Sequence, residues 1–183
     1  AIGTVTATDA DDDTLTYSIS GSEIAIDLSS GVLTFVEAPD YETKSSYSAT
    51  VTVSDGTNSD TQDITVSINN LNDNEPEFTS ATTISIPENT TSLGTVTATD
   101  ADGDSIEFSR IDGDIIINST TGELSLNYTP NYEGTNNNFT VKVSASDGTN
   151  VTTHEINIEI TNVNEAPYID NMPTGGDNYY CNI

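Results

Sequence analysis

The chain repeats itself, and that limits its fold more than any other feature. Gly3-Thr-Val-Thr-Ala-Thr-Asp-Ala-Asp11 returns as Gly94-Thr-Val-Thr-Ala-Thr-Asp-Ala-Asp102, an offset of 91. The same offset pairs Gly31 with Gly122, Pro39 with Pro130, and Tyr41-Glu42 with Tyr132-Glu133. Farther on the offset is 92, relating Ser54-Asp-Gly-Thr-Asn58 to Ser146-Asp-Gly-Thr-Asn150, and finally Asn72…Pro76 is answered by Asn164…Pro167. A period of this length means consecutive copies of one small folding unit rather than a single large domain. Pro76–Leu93 has no counterpart before Gly3. The expected organisation is therefore a repeat over 1–75 that lacks its first strand and a complete repeat over 76–166. Residues 167–183 are read as the start of a third repeat or a linker, and the whole as a window on a longer array.

Within each repeat the hydrophobic period is two. Tyr47, Ala49, Val51 and Val53 alternate with Ser and Thr, as do Phe139, Val141, Val143 and Ala145. Ile64, Val66 and Ile68 follow the same rule, and so do Ile156, Ile158 and Ile160. Such alternation describes strands with one buried face. Shorter candidates are Val5–Thr8, Leu15–Ile19, Val32–Phe35, Thr83–Ile86, Val96–Thr99, Ile106–Phe108 and Glu123–Leu126. Ser30-Gly31, Asp55-Gly56, Thr121-Gly122 and Asp147-Gly148 punctuate them as turns. No amphipathic helix is legible. About seven short strands in roughly 90 residues predict an all-β chain of tandem seven-stranded Greek-key β-sandwiches with an immunoglobulin-like layout.

Charge narrows the function classes. Thirty Asp and Glu stand against Lys44, Arg110 and Lys142, a formal net charge of −27. No phosphate-neutralising patch can be built from three cations, so nucleic acid is excluded as a partner, and attraction to an anionic membrane fails likewise. The longest aliphatic run is Ile115–Ile117, so this segment has no insertion into a bilayer. Cys181 is the sole cysteine, which excludes an intrachain disulfide. Small extracellular domains without disulfides are commonly braced by metal.

The acids gather at strand ends and loops. Asp9-Ala-Asp11-Asp-Asp13 is answered by Asp100-Ala-Asp102-Gly-Asp104, Asp40-Tyr-Glu42 by Asn131-Tyr-Glu133, and Asp55 by Asp147. Asn70-Leu-Asn-Asp-Asn-Glu-Pro76 is answered by Asn162-Val-Asn-Glu-Ala-Pro167, and Pro87-Glu-Asn89 occurs once. Dense like charges repel. An oxygen-only set of carboxylates and carboxamides suits Ca²⁺, which takes six to eight such ligands, better than Mg²⁺.

This constellation resembles the cadherin repeat over the whole chain apart from the tail. The family's motifs correspond to Pro87-Glu88-Asn89, Asp9-x-Asp11 and Asp100-x-Asp102, Asp40-Tyr41-Glu42, Asp55 and Asp147, and the linker Asn70–Pro76. The wording Thr-Ala-Thr-Asp-Ala-Asp and Val-Asn-Glu-Ala-Pro is more similar to cadherin-like repeats of large bacterial surface proteins than to animal cell-adhesion cadherins. The resemblance implies a calcium cluster drawing on Asp40, Glu42, the side chains of Asn72 and Asp73, the backbone oxygens of Leu71 and Asn74, and Asp100, Asp102 and Asp147. It implies that Asp9, Asp11 and Asp55 serve a preceding junction, and that Glu88, Glu133, Asn164 and Glu165, with Asn131, serve a following one. Asn70, Asn131 and Asn162 are neutral where the family is acidic, and the first repeat has no Pro-Glu ligand. Fewer or weaker ions are therefore expected at the central junction. For Asp13 and Asp104, ligation and a solvated loop acid stay open.

Other readings of the same residues fare worse. An EF-hand would need Gly at its sixth position and Glu at its twelfth, where the chain has Thr14 or Ser105 and Ser20 or Ile111. A nucleotide-dependent Asp-x-Asp site would need an α/β pattern. Paired carboxylates for glycoside hydrolysis come without a pocket-forming aromatic cluster. His154 has no second His or Cys to build a zinc site and is expected on the surface. Tyr41 and Tyr132 could stack on sugars or simply pack their loops. The expectation is an extracellular, cell-surface spacer or adhesion element stiffened by calcium, and not an enzyme. Its partners would be the neighbouring repeats of the same chain and a surface protein or polysaccharide. A calcium-dependent carbohydrate-binding module is the alternative.

Overall fold

The computed structural model describes residues 1–134 and 136–167, so the expected third repeat falls almost wholly outside the described residues. Among the described residues there is no helix, and none long and apolar enough to cross a membrane. The β-branched and alternating sequence forms fifteen strand segments instead.

Residues 1–75 supply β1 (Gly3–Thr4), β2 (Thr16–Ile19), β3 (Ile24–Ile26), β4 (Val32–Phe35), β5 (Ser46–Ser54) and β6 (Ser59–Ser67). They form two three-stranded sheets, ordered β1-β4-β3 and β2-β5-β6, so the chain crosses between layers as a Greek key does. All these pairings are antiparallel, and β5 and β6 run together over nine residue pairs from Ser46↔Ser67 to Ser54↔Ser59. The next residues supply β7 (Glu77–Phe78), β8 (Thr83–Pro87), β9 (Ser92–Thr95), β10 (Ala98–Thr99), β11 (Glu107–Asp112), β12 (Ile115–Ile117), β13 (Glu123–Leu126), β14 (Asn138–Ser146) and β15 (Val151–Thr161). Their sheets are β10-β7, β12-β13-β9 and β11-β14-β15-β8. Two interrupted strands, β7/β8 and β9/β10, account for nine segments where seven strands are expected. The layout is an all-β sandwich, as the alternation predicts. The segment Val5–Thr8 is not a strand here, whereas its counterpart keeps Ala98–Thr99 because β7 pairs with it.

By contacts the described residues group into two compact units. The first comprises Ala1–Thr79, Ala98–Glu107 and Ala145–Thr152; the second comprises Ser80–Thr97, Phe108–Ser144 and the residues from Thr153 onward. Buried apolar residues are unequal between the repeats. Residues 1–75 bury Tyr17, Ile24, Leu33 and Val51, while 76–166 bury thirteen, among them Val96, Ile115, Val143, Ile156 and Ile158 at 1% exposure or less. In the first repeat Phe35 packs edge-on against Tyr47 with ring centres 5.0 Å apart, and the Lys44 ammonium sits 4.6 Å above the Tyr47 ring.

The recurrence of Gly31 and Gly122 has a steric cause. Both adopt positive φ, 69° and 71°. Each also receives an amide across the fold, from Val5 and Val96 respectively, at 2.9 Å. A Cβ at either place would drive into the carbonyl oxygen of Val5 or Val96. Gly122→Ala is expected to cost about 1–3 kcal/mol by combining a left-handed conformation with backbone collision. Chemical denaturation compared with wild type measures it.

The turn before each of these glycines is held differently. Asp27 accepts the amides and hydroxyls of both Ser29 and Ser30, all to Oδ1 within 3.0 Å. Its counterpart Asn118 accepts the amides of Thr120 and Thr121 through a neutral side chain. The Ser30 and Ser29 donors hold the Asp27 carboxyl far below the usual carboxylate range. A group depressed in the folded state contributes stability above its unfolded pKa and loses it as pH falls through the folded value. Acid unfolding of the first repeat should therefore shift to higher pH in Asp27→Ala, while Asn118→Ala leaves the acid limb unchanged. A pH titration followed by near-ultraviolet dichroism reads both.

Candidate metal centre

Four loops converge within the first compact unit, and their acids face one another. Glu42, Asp73 and Asp102 each place a carboxylate oxygen within 4.8 Å of the other two, and Asp100, Asp102 and Asp104 do the same. Asp102 belongs to both groups and is the hub. Oxygens on opposite sides of a calcium ion at 2.3–2.6 Å stand about 5 Å apart, so both groups match one ion's span. No cation of the protein answers these acids among the described residues. Lys44 pairs with Glu23 and Lys142 with Glu155, while Arg110 is turned to the carbonyls of Gly113 and Ile115.

Hydrogen bonds set the shape of the cluster. Asp102 Oδ2 accepts the amides of Asp73 at 3.1 Å and Asn74 at 2.9 Å, and Oδ1 accepts the Asn74 carboxamide at 2.9 Å. Asn74 also donates to Asp73 Oδ1. Asn70 donates to the Asp102 carbonyl at 2.8 Å, so the neutral residue that departs from the acidic pattern has a task of its own. Asp40 accepts the amides of Glu42 and Thr43 and the Thr43 hydroxyl. Asp100 Oδ1 accepts the Asp104 amide, whereas its Oδ2 is buried with no hydrogen-bond partner. An orphaned, buried carboxylate oxygen beside two other acids is what a cation ligand looks like.

Titration behaviour follows this crowding. Desolvation, then the adjoining carboxyls of Asp40 and Asp102, push Glu42 above the usual carboxylate range. Desolvation also opposes the charge on Asp102, but the Asn74 side chain and amide outweigh it and the carboxyl lies low. Asp40 lies low because the Thr43 hydroxyl donates to it. Glu42 is thus the member of the cluster whose charge is most opposed, by desolvation first and by its neighbours second.

Asp147 belongs to neither group of three, and the Asn150 carboxamide joins it to Asn72. Asp147 accepts the amides of Thr149 and Asn150 at 2.7 and 2.6 Å, which hold its carboxyl low against desolvation. Asn150 was not singled out by sequence, yet it connects three linker and loop groups. Its carboxamide donates to Asn72 Oδ1, the Asn74 carbonyl and Asp147 Oδ2 at 3.0–3.1 Å. In the matching Asp-Gly-Thr-Asn of the first repeat, the Asn58 carboxamide donates to Asp55 at 3.2 Å. Leu71 offers its carbonyl to the Asp73 amide and leaves its side chain 67% exposed.

Comparison with known proteins agrees with this architecture. The Bacterial Ig domain family model matches residues 72–161. Human Protocadherin Fat 1 is 36% identical over 82% of this chain, which spans 4% of that protein. Chitinase A of Pseudoalteromonas piscicida is 32% identical over 93% of the chain, which spans 21% of it. Among solved structures, human Protocadherin-24 EC1-2 superposes with a TM-score of 0.70 at 23% identity, covering 87% of each chain. Human CDH23 EC21-23 gives 0.70 at 22% identity over 88% of this chain and 67% of that one. The repeats are cadherin-like. The chain covers only a small part of the curated relatives that it matches.

The remaining acids of the cadherin-like pattern belong to neither group of three. In the first unit Asp9 accepts the amides of Asp11 and Asp13, and Asp55 accepts those of Thr57 and Asn58. In the second unit Glu88 is 2% exposed, and its oxygens accept the amides of Val163 and Tyr132 at 2.8 Å each. Those two amides hold its carboxyl below the usual range. Asn89 donates to Glu165 at 3.2 Å, Asn162 to Glu133 at 3.5 Å, and Asn131 accepts the Glu133 amide. Asn164 is exposed. His154 is half-buried, with Nε2 3.2 Å from the Ala81 carbonyl, so the expected surface residue is partly packed.

Glu88 therefore ties the loop at Tyr132 to the segment at Val163 through a single buried carboxylate. Glu88→Gln would set a carboxamide N–H₂ against one of two backbone donors. Faster hydrogen exchange at Tyr132 or Val163, with β12 and β13 unchanged, is the expected outcome.

Proposed function

We propose that the acids around Asp102 bind calcium and that the ion stiffens an extracellular, cell-surface spacer or adhesion element. The observation that carries this reading is the buried, unpartnered Oδ2 of Asp100 beside carboxylates that share a 4.8 Å span. Glu42, Asp73, Asp100, Asp102 and Asp104 would hold the ion, with Asp40 and Asp147 adjoining. Calcium supplies the positive charge that the chain lacks. Asp102 contributes by fixing the linker amides of Asp73 and Asn74 in the same place as the acids. The surrounding carboxamides keep the loops in register without adding charge.

An ion that binds only the assembled loops stabilises them by mass action, roughly 2.7 kcal/mol at a hundredfold excess over Kd. Neighbouring repeats of the same chain would then move as one body. Similarity to Protocadherin Fat 1 favours an adhesion-type context outside the cell. No nucleophile–base pair is legible in the sequence, and we propose a non-enzymatic role.

A calcium-dependent carbohydrate-binding role is the second reading. It is favoured by the likeness to a chitinase and by the exposed rings of Tyr41 and Tyr132, each 37% exposed. Sedimentation with insoluble polysaccharide, with and without calcium, distinguishes it from a pure spacer.

Calcium is expected to raise the melting temperature and slow proteolysis within the linker 69–76, with saturable heat in titration calorimetry. Asp102→Asn should weaken that binding by at least the ~10-fold that losing an outer ligand contact causes. Titration without heat, or a linker equally protected in chelator, would remove the calcium reading.

A further inference from the structure

An aspartate followed by glycine is a chemically labile pair, because no side chain shields the glycine nitrogen from the carboxyl before it. The chain has four: Asp55-Gly56, Asp102-Gly103, Asp112-Gly113 and Asp147-Gly148. Three of them keep their reactive groups occupied elsewhere. Asp55 Oδ1 accepts the amides of Thr57 and Asn58, while the Gly56 amide donates to the Ser54 hydroxyl at 3.1 Å. Asp147 repeats this arrangement, with its carboxylate on Thr149 and Asn150 and the Gly148 amide on Ser146. Both oxygens of Asp102 are taken by donors from Asp73 and Asn74.

Asp112 is arranged the other way. Its Oδ1 accepts the amide of its own successor, Gly113, at 2.8 Å. That contact sets the carboxyl carbon beside the one nitrogen that can attack it. The pair lies where β11 passes into β12 and the chain crosses from one sheet to the other. Arg110 holds the crossover, with Nη1 3.4 and 3.2 Å from the carbonyls of Gly113 and Ile115. Gly113 is required there, since its φ is 95° and a Cβ would stand 2.7 Å from Val141 Cγ1. Asp112 is exposed, so water reaches it. Asp60 makes the same contact with the Thr61 amide at 2.9 Å. There a branched side chain crowds the nitrogen, and both residues are held in the β5–β6 ladder.

We infer that Asp112 is a site of spontaneous covalent modification, isomerising to isoaspartate in the folded protein. The Gly113 nitrogen bonds to Cγ of the carboxylic acid form of Asp112. The nitrogen's proton and the acid's hydroxyl leave together as one water, which closes a five-membered succinimide. One water then opens the ring. Its addition at Cγ restores aspartate, and its addition at the former main-chain carbonyl carbon gives isoaspartate. Water lost and water gained balance, so the mass is unchanged and no other reactant enters. The isomer has one more carbon in the main chain, placed at the crossover that packs on Val141.

The test ages the whole chain in neutral buffer with chelator, so its outcome is independent of the calcium reading. Peptide mapping with electron-transfer fragmentation tells isoaspartate from aspartate at each pair. A misplacement of about 1 Å can cost a reaction roughly 100-fold, so Asp112 should isomerise at least about tenfold faster than Asp55, Asp102 or Asp147. In heavy-oxygen water the isomer should carry one heavy oxygen. Asp112→Glu, whose ring would have six members, should remove the signal. In denaturant no contact distinguishes the pairs, and the four rates should converge. Absence of isoaspartate at Asp112, equal rates in the folded chain, a preference that persists in denaturant, or an isomer without heavy oxygen would each overturn the proposal.

Discussion

The carboxylate of Asp102 meets two opposed demands, and the linker's geometry depends on how they are reconciled. It accepts two backbone amides and one carboxamide from Asp73 and Asn74, which draws the linker onto it. The same folding brings Asp73 and Glu42 against it with their charges. The Glu42 carboxyl lies above the usual range, first through desolvation and then through the neighbouring carboxyls of Asp40 and Asp102. With thirty acids to three bases, the chain has no ammonium or guanidinium to spare for the site. On the proposed calcium reading, compensation would come from solution and the state of the linker would follow its ionic surroundings.

The two repeats show how much of a sandwich's core depends on one short strand. Their long strands carry the same alternation, yet Ile158 and Ile160 are sealed while Val66 and Ile68 remain half-open. Neither propensity nor pattern separates them. β15 has the five-residue β8 paired along its edge, and β6 has no such partner among the described residues. Burial in a sandwich is thus a property of the closed pair of layers and not of any strand alone.

The fold was legible because strand alternation and the duplicated glycines carry their causes locally. Val32–Phe35 and Glu123–Leu126 have the bounds that alternation predicts, and Gly31 and Gly122 recur because a carbonyl oxygen leaves no room for a Cβ. Ile24–Ile26 and Ile115–Ile117 were not legible as strands. Three residues make no measurable period, and their pairing with β4 and β13 is decided by tertiary contact. Of the site, the Asp-x-Asp pairs and the linker were visible as clusters of acid in turns. Asn150 was not, because a carboxamide in a turn carries no mark of its distant partners. Asp12 illustrates another local limit. It holds φ at 61° where the second repeat has Gly103, so the turn survived a substitution that the sequence alone makes look harmless.

The carboxamides explain why so acidic a linker can hold a shape through bonds of its own. Carboxylates only accept, so a linker of aspartates alone would have nothing but backbone amides to donate. Asn70, Asn74 and Asn150 supply the missing donors, to the Asp102 carbonyl, to Asp73 and Asp102, and to Asn72, Asn74 and Asp147. Each also removes one negative charge from the neighbourhood. Exchanging acid for amide at these places lowers the repulsion that a bound cation must offset, and it leaves fewer charged oxygens to hold that cation. Calcium affinity tracks ligand charge and site rigidity together. On the proposed calcium reading, Asn70 would trade one ligand charge for a hydrogen bond to the Asp102 carbonyl that orders the linker.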